Sequence, residues 1–341
     1  MSKANFKSTQ SSTKTPLDRL HLILKDDMTR TNDLIVKRLE SDVNVIPKVA
    51  NYIIAAGGKR IRPLLTLAGA KAFADEGNMD NAHLLAAAVE FIHTATLLHD
   101  DVVDDSDQRR GQQSSHVIFG NETAVLVGDF LFARAFELMV ETDRLEVLGV
   151  LSKASAIITE GEVKQLSTTR QIDTGIEEYF KVINGKTAAL FAAACSVGTM
   201  VADQSGDMQK KLHDYGQNLG MAFQITDDIL DYSANEAKLG KETGDDFREG
   251  KMTLPVILSV QQASGQEKAF WKRVIETPEE IKAEDFPYAQ NLLVRHGIYD
   301  QATKIANEHA KKAHEALENI PDTPIKKILI EILDYSVKRL H

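Results

Sequence analysis

Two acidic triplets with identical spacing hold most of the chemical potential of this sequence, Asp100-Asp101-Val102-Val103-Asp104 and Asp227-Asp228-Ile229-Leu230-Asp231. A helix turns about 100° per residue, so Asp100, Asp101 and Asp104 share one arc, and Asp227, Asp228 and Asp231 repeat it. Carboxylates this close repel and raise one another's pKa unless a cation offsets them. Hard oxygen donors at that density suit Mg²⁺, which keeps several waters and completes its shell with substrate phosphate oxygens. One such triplet alone also describes a solvated helix face. Here each follows an apolar stretch, Ala95 to Leu98 and Met221 to Ile225, so each begins where a buried helix emerges. The two are predicted to be opposing walls of one cleft, with a diphosphate bridged by Mg²⁺ between them.

Binding a diphosphate also needs local cations. Gly57-Gly58-Lys59-Arg60-Ile61-Arg62-Pro63 offers Lys59 and Arg62 beside glycines that let backbone approach an anion, and Pro63 suits a first helical turn. Arg109-Arg110-Gly111 follows the first triplet closely enough to share a phosphate with the metal ions, although charge balance against Asp105 and Asp107 would also explain it. Lys186-Thr187, Lys241 and Lys251 each follow a glycine, as many ordinary surface lysines do. His93 lies seven residues before Asp100, two turns back on the same stripe, where a plain core histidine would also fit. His99 beside Asp100 raises a metal-dependent phosphohydrolase, but His83, His93 and His116 give that reading no convincing ligand set.

The elements that must position these groups read as helices nearly throughout, with apolar residues at three- and four-residue spacing. Helices are predicted at 17–42, 44–56, 62–74, 80–106, 121–141, 145–168, 175–200, 206–232, 253–262, 279–296, 298–318 and 323–339, and the eight prolines punctuate their ends. With 341 residues, 43% of them hydrophobic, the chain can bury a large core, and no linker or repeat divides it. The expectation is one all-α domain over 16–341, preceded by a Ser-, Thr- and Lys-rich disordered tail over 1–15. A formal charge of -10 argues against nucleic acid as a partner. The single cysteine, Cys195, cannot form an intrachain disulfide, which suits a reducing cytoplasm. No apolar run reaches the length of a membrane span.

Taken together, these residues resemble the trans-prenyl diphosphate synthase family over roughly residues 50 to 260. The first aspartate-rich motif is similar to Leu97-Leu98-His99-Asp100-Asp101-Val102-Val103-Asp104 running on to Arg109-Arg110-Gly111, and the second to Phe223-Gln224-Ile225-Thr226-Asp227-Asp228-Ile229-Leu230-Asp231. Gly240-Lys241, Gly244-Asp245-Asp246 and Gly250-Lys251-Met252-Thr253-Leu254-Pro255 are also family-like. The resemblance implies the isoprenoid synthase fold, a helical bundle around a deep central cavity, and a homodimer whose interface would use the apolar faces around 121–141. It implies that Mg²⁺, three ions with diphosphate bound, sits on Asp100, Asp104 and Asp227, with Asp101, Asp228, Asp231 and Lys251 acting directly or through water. Arg109, Lys186 and Lys241 would touch the allylic diphosphate. Isopentenyl diphosphate would lie on Lys59, Arg62, His93 and Arg110, with Thr187 and Gln224 near the reacting pocket.

Short-chain members generally place an aromatic four or five residues before the first motif, where this chain has Thr96 and Ala95. Ala86, Ala87 and Ala88 continue the run of small residues, and Phe91 and Ile92 could narrow it. The resemblance therefore implies a long-chain product of octaprenyl to decaprenyl length, as in a quinone side chain, with peripheral membrane contact as a route for product release. Geranylgeranyl diphosphate is the shorter alternative. A terpene cyclase would need a second motif built from Asn or Asp, Ser or Thr, and Glu, and would leave Lys59 and Arg62 idle. An inactive partner subunit would have lost its acidic motifs.

Overall fold

The structure, a computed structural model, describes residues 15–72, 79–233 and 243–338. The predicted tail, Thr15 apart, and Lys241 with Gly240 lie outside those residues. The architecture is all-α, as predicted. Its helices are α1 Pro16–Ile23, α2 Lys25–Arg38, α3 Val45–Ala55, α4 Ile61–Lys71, α5 Asp80–Val103, α6 Ser115–Phe119, α7 Asn121–Glu141, α8 Leu145–Thr168, α9 Ile176–Ile183, α10 Ala189–Val201, α11 Gly206–Ser233, α12 Asp245–Glu249, α13 Leu254–Gln262, α14 Gln266–Glu276, α15 Asp285–Arg295, α16 Ile298–Leu317 and α17 Pro324–Lys338. Among the described residues the sole sheet is a two-residue hairpin, β1 Gln108–Arg109 with β2 Gln112–Gln113.

Local sequence accounts for several boundaries. Thr15 caps α1 in a reciprocal capping box with Asp18, and Pro16 fills the first turn, where its missing N–H costs nothing. The helix predicted over 17–42 is instead two, bent at Leu24, which keeps Leu20, Leu24 and Met28 all on the core. The one predicted over 175–200 is interrupted by a π-turn, Asn184–Ala188. There Gly185 crosses Gly161 of α8 so closely that a Cβ on Gly185 would stand 2.6 Å from the Gly161 Cα. The predicted helix over 279–296 is a short 3₁₀ turn, Pro278–Glu280, followed by α15. Helices α6, α12 and α14 were not anticipated. Trp271 of α14 is fully buried and donates its indole N–H to Ser259 Oγ at 3.0 Å.

Two apolar clusters form the core. One gathers α1 to α5, α7, α8, α10 and α17; the other gathers α9 and α12 to α15. The long helices α11 and α16 run through both, so Tyr215 and Leu219 pack in the first while Ile225 and Tyr232 pack in the second. Asp27 ties three helices at the first cluster's edge, accepting from Lys71 Nζ at 2.8 Å and bonding His83 Nε2 at 3.0 Å. No helix among the described residues is long and apolar enough to cross a membrane.

Candidate active site

Helix α5 is sealed in the core from Leu85 to Ile92 and then becomes partly exposed at His93, Thr96, Leu97, Asp100 and Asp104, a spacing that keeps them on one face. That face is one wall. Asp104 closes the helix, its N–H donating to the Asp100 carbonyl at 2.8 Å. The opposite wall is the end of α11, where Asp227 is exposed and Asp228 is buried. Lys251 ties the first wall to α12: its ammonium donates to Asp104 Oδ2 at 3.2 Å and pairs with Glu249, and its own N–H reaches the Asp246 carbonyl at 2.9 Å. Lys186, on the π-turn, bonds Gln165 Oε1 at 3.2 Å and lies 3.6 Å from Glu162. Its charge acts on Asp100 and on Asp246 alike.

The electrostatics describe a site short of positive charge. Burial, then the neighbouring carboxylates Glu162 and Asp104, push Asp100 up to about 7 against the pull of Lys186 and Arg109. Burial, then Asp246, pushes Asp231 up to about 7, and Asp246 itself is raised to about 6, first by burial. No three His, Cys, Asp or Glu side chains among the described residues converge on one metal position. Yet Asp101 keeps a buried oxygen, Oδ2, without a hydrogen-bond partner. Clustered carboxylates with uncompensated charge fit a hard cation that draws the rest of its shell from water and substrate.

The six motif aspartates are not equivalent. Asp101, 1% exposed, accepts Arg109 Nε at 2.6 Å, so it aims that arginine. Asp228 accepts Tyr179 OH at 2.7 Å and Gln224 Nε2 at 2.8 Å, and Thr187 Oγ1 donates to Gln224 Oε1 at 2.7 Å. Burial, then Asp246, hold the Asp228 carboxyl well above the usual carboxylate range. Asp231 accepts the Gly244 and Asp246 N–H groups, each at 3.2 Å, and so anchors the start of α12. Asp228 and Asp231 have both oxygens engaged within the protein and Asp101 has one, Oδ1, whereas Asp100 and Asp104 line the partly exposed wall and Asp227 is exposed.

A second, basic pocket lies two turns back along α5. Arg62 donates to His93 Nε2 at 3.1 Å and stacks over Phe191 at 4.9 Å. Burial, together with Arg110 and against Glu90, lowers Arg62 to about 10. Burial, then Arg62, Arg110, Arg109 and Arg60, lowers His93 well below its usual value, so its ring is neutral at pH 7 and can accept. The Arg110 guanidinium packs on Gly58, where a Cβ would stand 2.8 Å from Nη1. Arg110 (φ 53) and Gly111 (φ 76) form the two-residue hairpin loop with both φ positive, a turn whose twist matches the strands and turns the arginine back toward this pocket. A half-buried Arg62 guanidinium whose buried Nε lacks a hydrogen-bond partner, set against an unprotonated histidine, is a setting that an anion would offset. Lys59 stands apart, its ammonium 5.9 Å from the Tyr335 ring centroid. Arg109 lies between the two pockets, its charge felt at both Asp100 and His93.

Ala95 has no exposed surface, while Thr96 is partly exposed and bonds the His93 carbonyl at 2.8 Å. Ala86, Ala87, Ala88, Phe91 and Ile92 are likewise fully buried, so in this structure the small residues serve close helix packing. The sequence reading missed Tyr179, Glu162 and Gln165. The one signal for Tyr179 is its place seven residues before Lys186, and the two α8 residues carry none beyond helical periodicity.

The arrangement has close counterparts. Residues 43–293 match the polyprenyl synthetase family. The chain is 41% identical to the octaprenyl diphosphate synthase of Haemophilus influenzae, over 95% of this chain and 97% of that protein, and 42% identical to the octaprenyl diphosphate synthase of Escherichia coli K12, over 95% and 99%. A crystal structure of a decaprenyl diphosphate synthase from Rhodobacter capsulatus superposes with a TM-score of 0.91 at 47% identity, covering 96% of this chain and all of that one. A polyprenyl synthase from Caulobacter crescentus, complexed with calcium and isoprenyl diphosphate, gives 0.90 at 46% identity over 95% and 98%. On this geometry and these relatives, the chain belongs to the polyprenyl synthetase family and is a prenyltransferase.

Proposed function

We propose that this chain is a long-chain trans-polyprenyl diphosphate synthase, extending an allylic diphosphate such as farnesyl diphosphate with successive isopentenyl diphosphates to an octaprenyl to decaprenyl (C40–C50) product for a quinone side chain. The observation that carries the reading is the pairing of two anion sites along one helix face, an acidic cleft where Lys251 pairs with Asp104 and, two turns away, the pocket of Arg62, His93 and Arg110. One site suits a metal-bound diphosphate and the other a diphosphate held by cations alone.

Asp100, Asp104 and Asp227 would hold Mg²⁺, three ions with substrate bound, which would supply neutralisation of the diphosphate. Lys186, Lys251 and Arg109 hold the same diphosphate and take up the charge that grows on it as the allylic C–O bond ionises; Lys241 belongs to this set by its place in the sequence. Arg62, His93 and Arg110, with Lys59 from the exposed rim, orient isopentenyl diphosphate so that its double bond attacks the cation. The departing pyrophosphate takes the proton lost afterwards. Thr187, Gln224 and Tyr179 hold Asp228, while Asp101 aims Arg109 and Asp231 anchors α12.

We place this activity in the cytoplasm, in a single domain from residue 16 and in a homodimer, with peripheral membrane contact as the product leaves. Val125, Leu126, Phe136 and Val140 form an exposed apolar stripe along α7, which supports the dimer. A shorter, geranylgeranyl product is the alternative, because the buried alanines of α5 also serve helix packing, and one assay separates the two. Purified protein is incubated with radiolabelled isopentenyl diphosphate, farnesyl diphosphate and Mg²⁺, and the dephosphorylated products are chromatographed. Octaprenol to decaprenol, lost with EDTA or in Asp100→Ala, is expected; a stop at geranylgeraniol would overturn the long-chain assignment, and no condensation the whole reading.

A further inference from the structure

Two residues beyond α8, Arg170 adopts a left-handed backbone (φ 60), a conformation that favours glycine, and yet a long cationic side chain stands there. That side chain makes no hydrogen bond or ion pair with the motif aspartates or with Lys251. Its backbone N–H donates to the Gly250 carbonyl at 2.9 Å, Nη2 donates to the Arg248 carbonyl at 3.0 Å, and Nη1 donates to the Ile275 carbonyl at 3.3 Å. Its stem lies flat on Gly250, where a Cβ would stand 2.8 Å from Cγ and 2.9 Å from Nη1. Gly250 is itself left-handed (φ 71) and ends α12. The next residue is Lys251, which spans from this turn to Asp104 on the first wall.

We propose that Arg170 is a positioning residue that sets the reach of Lys251. The turn at 248–250 has left the α12 ladder, and its carbonyls at Arg248 and Gly250 find their donors on Arg170. A planar guanidinium with donors at fixed angles satisfies carbonyls on α12 and α14 together, from two different nitrogens. The third bond, to Ile275 at the end of α14, refers the turn to the second core cluster. Arg170 thereby transmits the rigidity of that core to one cation of the cleft. The role assigned to Lys251 rests on the proposed function above.

Arg170→Met keeps the stem and removes the fork. We expect it to raise KM for the allylic diphosphate and lower kcat, together by about 10- to 100-fold in kcat/KM, the usual cost of a small misplacement at a reacting site. KM for isopentenyl diphosphate stays within about twofold. Arg170→Lys, which keeps the charge and a donor nitrogen but loses the planar fork, loses less. In the Lys251→Ala background Arg170→Met adds no further loss, because the two act as one unit. Hydrogen exchange at the Lys251 amide speeds up in Arg170→Met, a readout independent of turnover. The same loss with and without the lysine, an equal rise in both KM values, or unchanged exchange at Lys251 would overturn the inference. Absence of turnover in the unsubstituted protein would overturn the functional reading instead, and the exchange comparison alone would then judge Arg170.

Discussion

Tyr179→Phe isolates one atom of the acidic cleft. The ring remains packed in the second core cluster, so no cavity forms, but Asp228 loses a donor at 2.7 Å in a buried setting. Leaving a buried acceptor unpaired costs about 1–3 kcal/mol. Urea unfolding in EDTA should therefore show a loss of that size, with unchanged m-value. If the same energy holds Gln224 and Thr187 in the reacting arrangement, kcat falls by about 5- to 150-fold, since about 1.4 kcal/mol is a decade. KM for isopentenyl diphosphate stays within about twofold, because Arg62, His93 and Arg110 are untouched. Gln224→Leu shares the acceptor Asp228, so the double variant should be non-additive by about 0.5–3 kcal/mol. A Tyr179→Phe protein with native stability and kcat within twofold would refute the view that this hydrogen-bond chain fixes the second wall.

Three further outcomes follow from named residues. Thr96→Phe and Ala95→Phe should each shift the chromatographed products to shorter prenols, and Ala95→Phe, having no exposed surface to grow into, should also cost about 1–3 kcal/mol in urea unfolding; unaltered product length in both would sink the role assigned to these positions. Asp100 and Asp231 are raised to about 7 and Asp246 to about 6, all above the unfolded value of 3.8, so the folded state binds more protons in that interval and these groups erode stability as pH rises from about 4 through 7. Bound Mg²⁺ should relieve that loss, so its increment in Tm should be larger near pH 8 than near pH 5.5; equal increments would contradict the assignment of these carboxylates to a metal-binding cleft. Leu126→Lys, at a residue 66% exposed, should leave urea unfolding of the isolated chain within about 0.5 kcal/mol but abolish a dimer in light scattering, and an unsubstituted protein that is monomeric at micromolar concentration would remove that interface.

Periodicity was enough to read the helical class from the chain alone, and two acidic triplets with glycine-flanked cations were enough to name the candidate side chains of the proposed cleft. These depend on local geometry: a 3.6-residue turn places Asp100 beside Asp104, and His93 two turns behind, whatever surrounds them. Tertiary structure decided which oxygen of each motif is used. Asp101, Asp228 and Asp231 have the same local pattern as Asp100 and Asp227, and what separates them is Arg109, Tyr179 and the start of α12, brought in from elsewhere in the chain. The π-turn that presents Lys186 arises from two glycine-bearing segments crossing in contact, Gly161 and Gly185, and no window along the sequence contains both in that relation. The hairpin that turns Arg110 onto Gly58 and the clamp of Arg170 on Gly250 are of the same kind. Hydrophobic spacing is a property of one segment, whereas the direction of a buried polar group is set by the partners that satisfy it, and those partners meet only when the chain has folded.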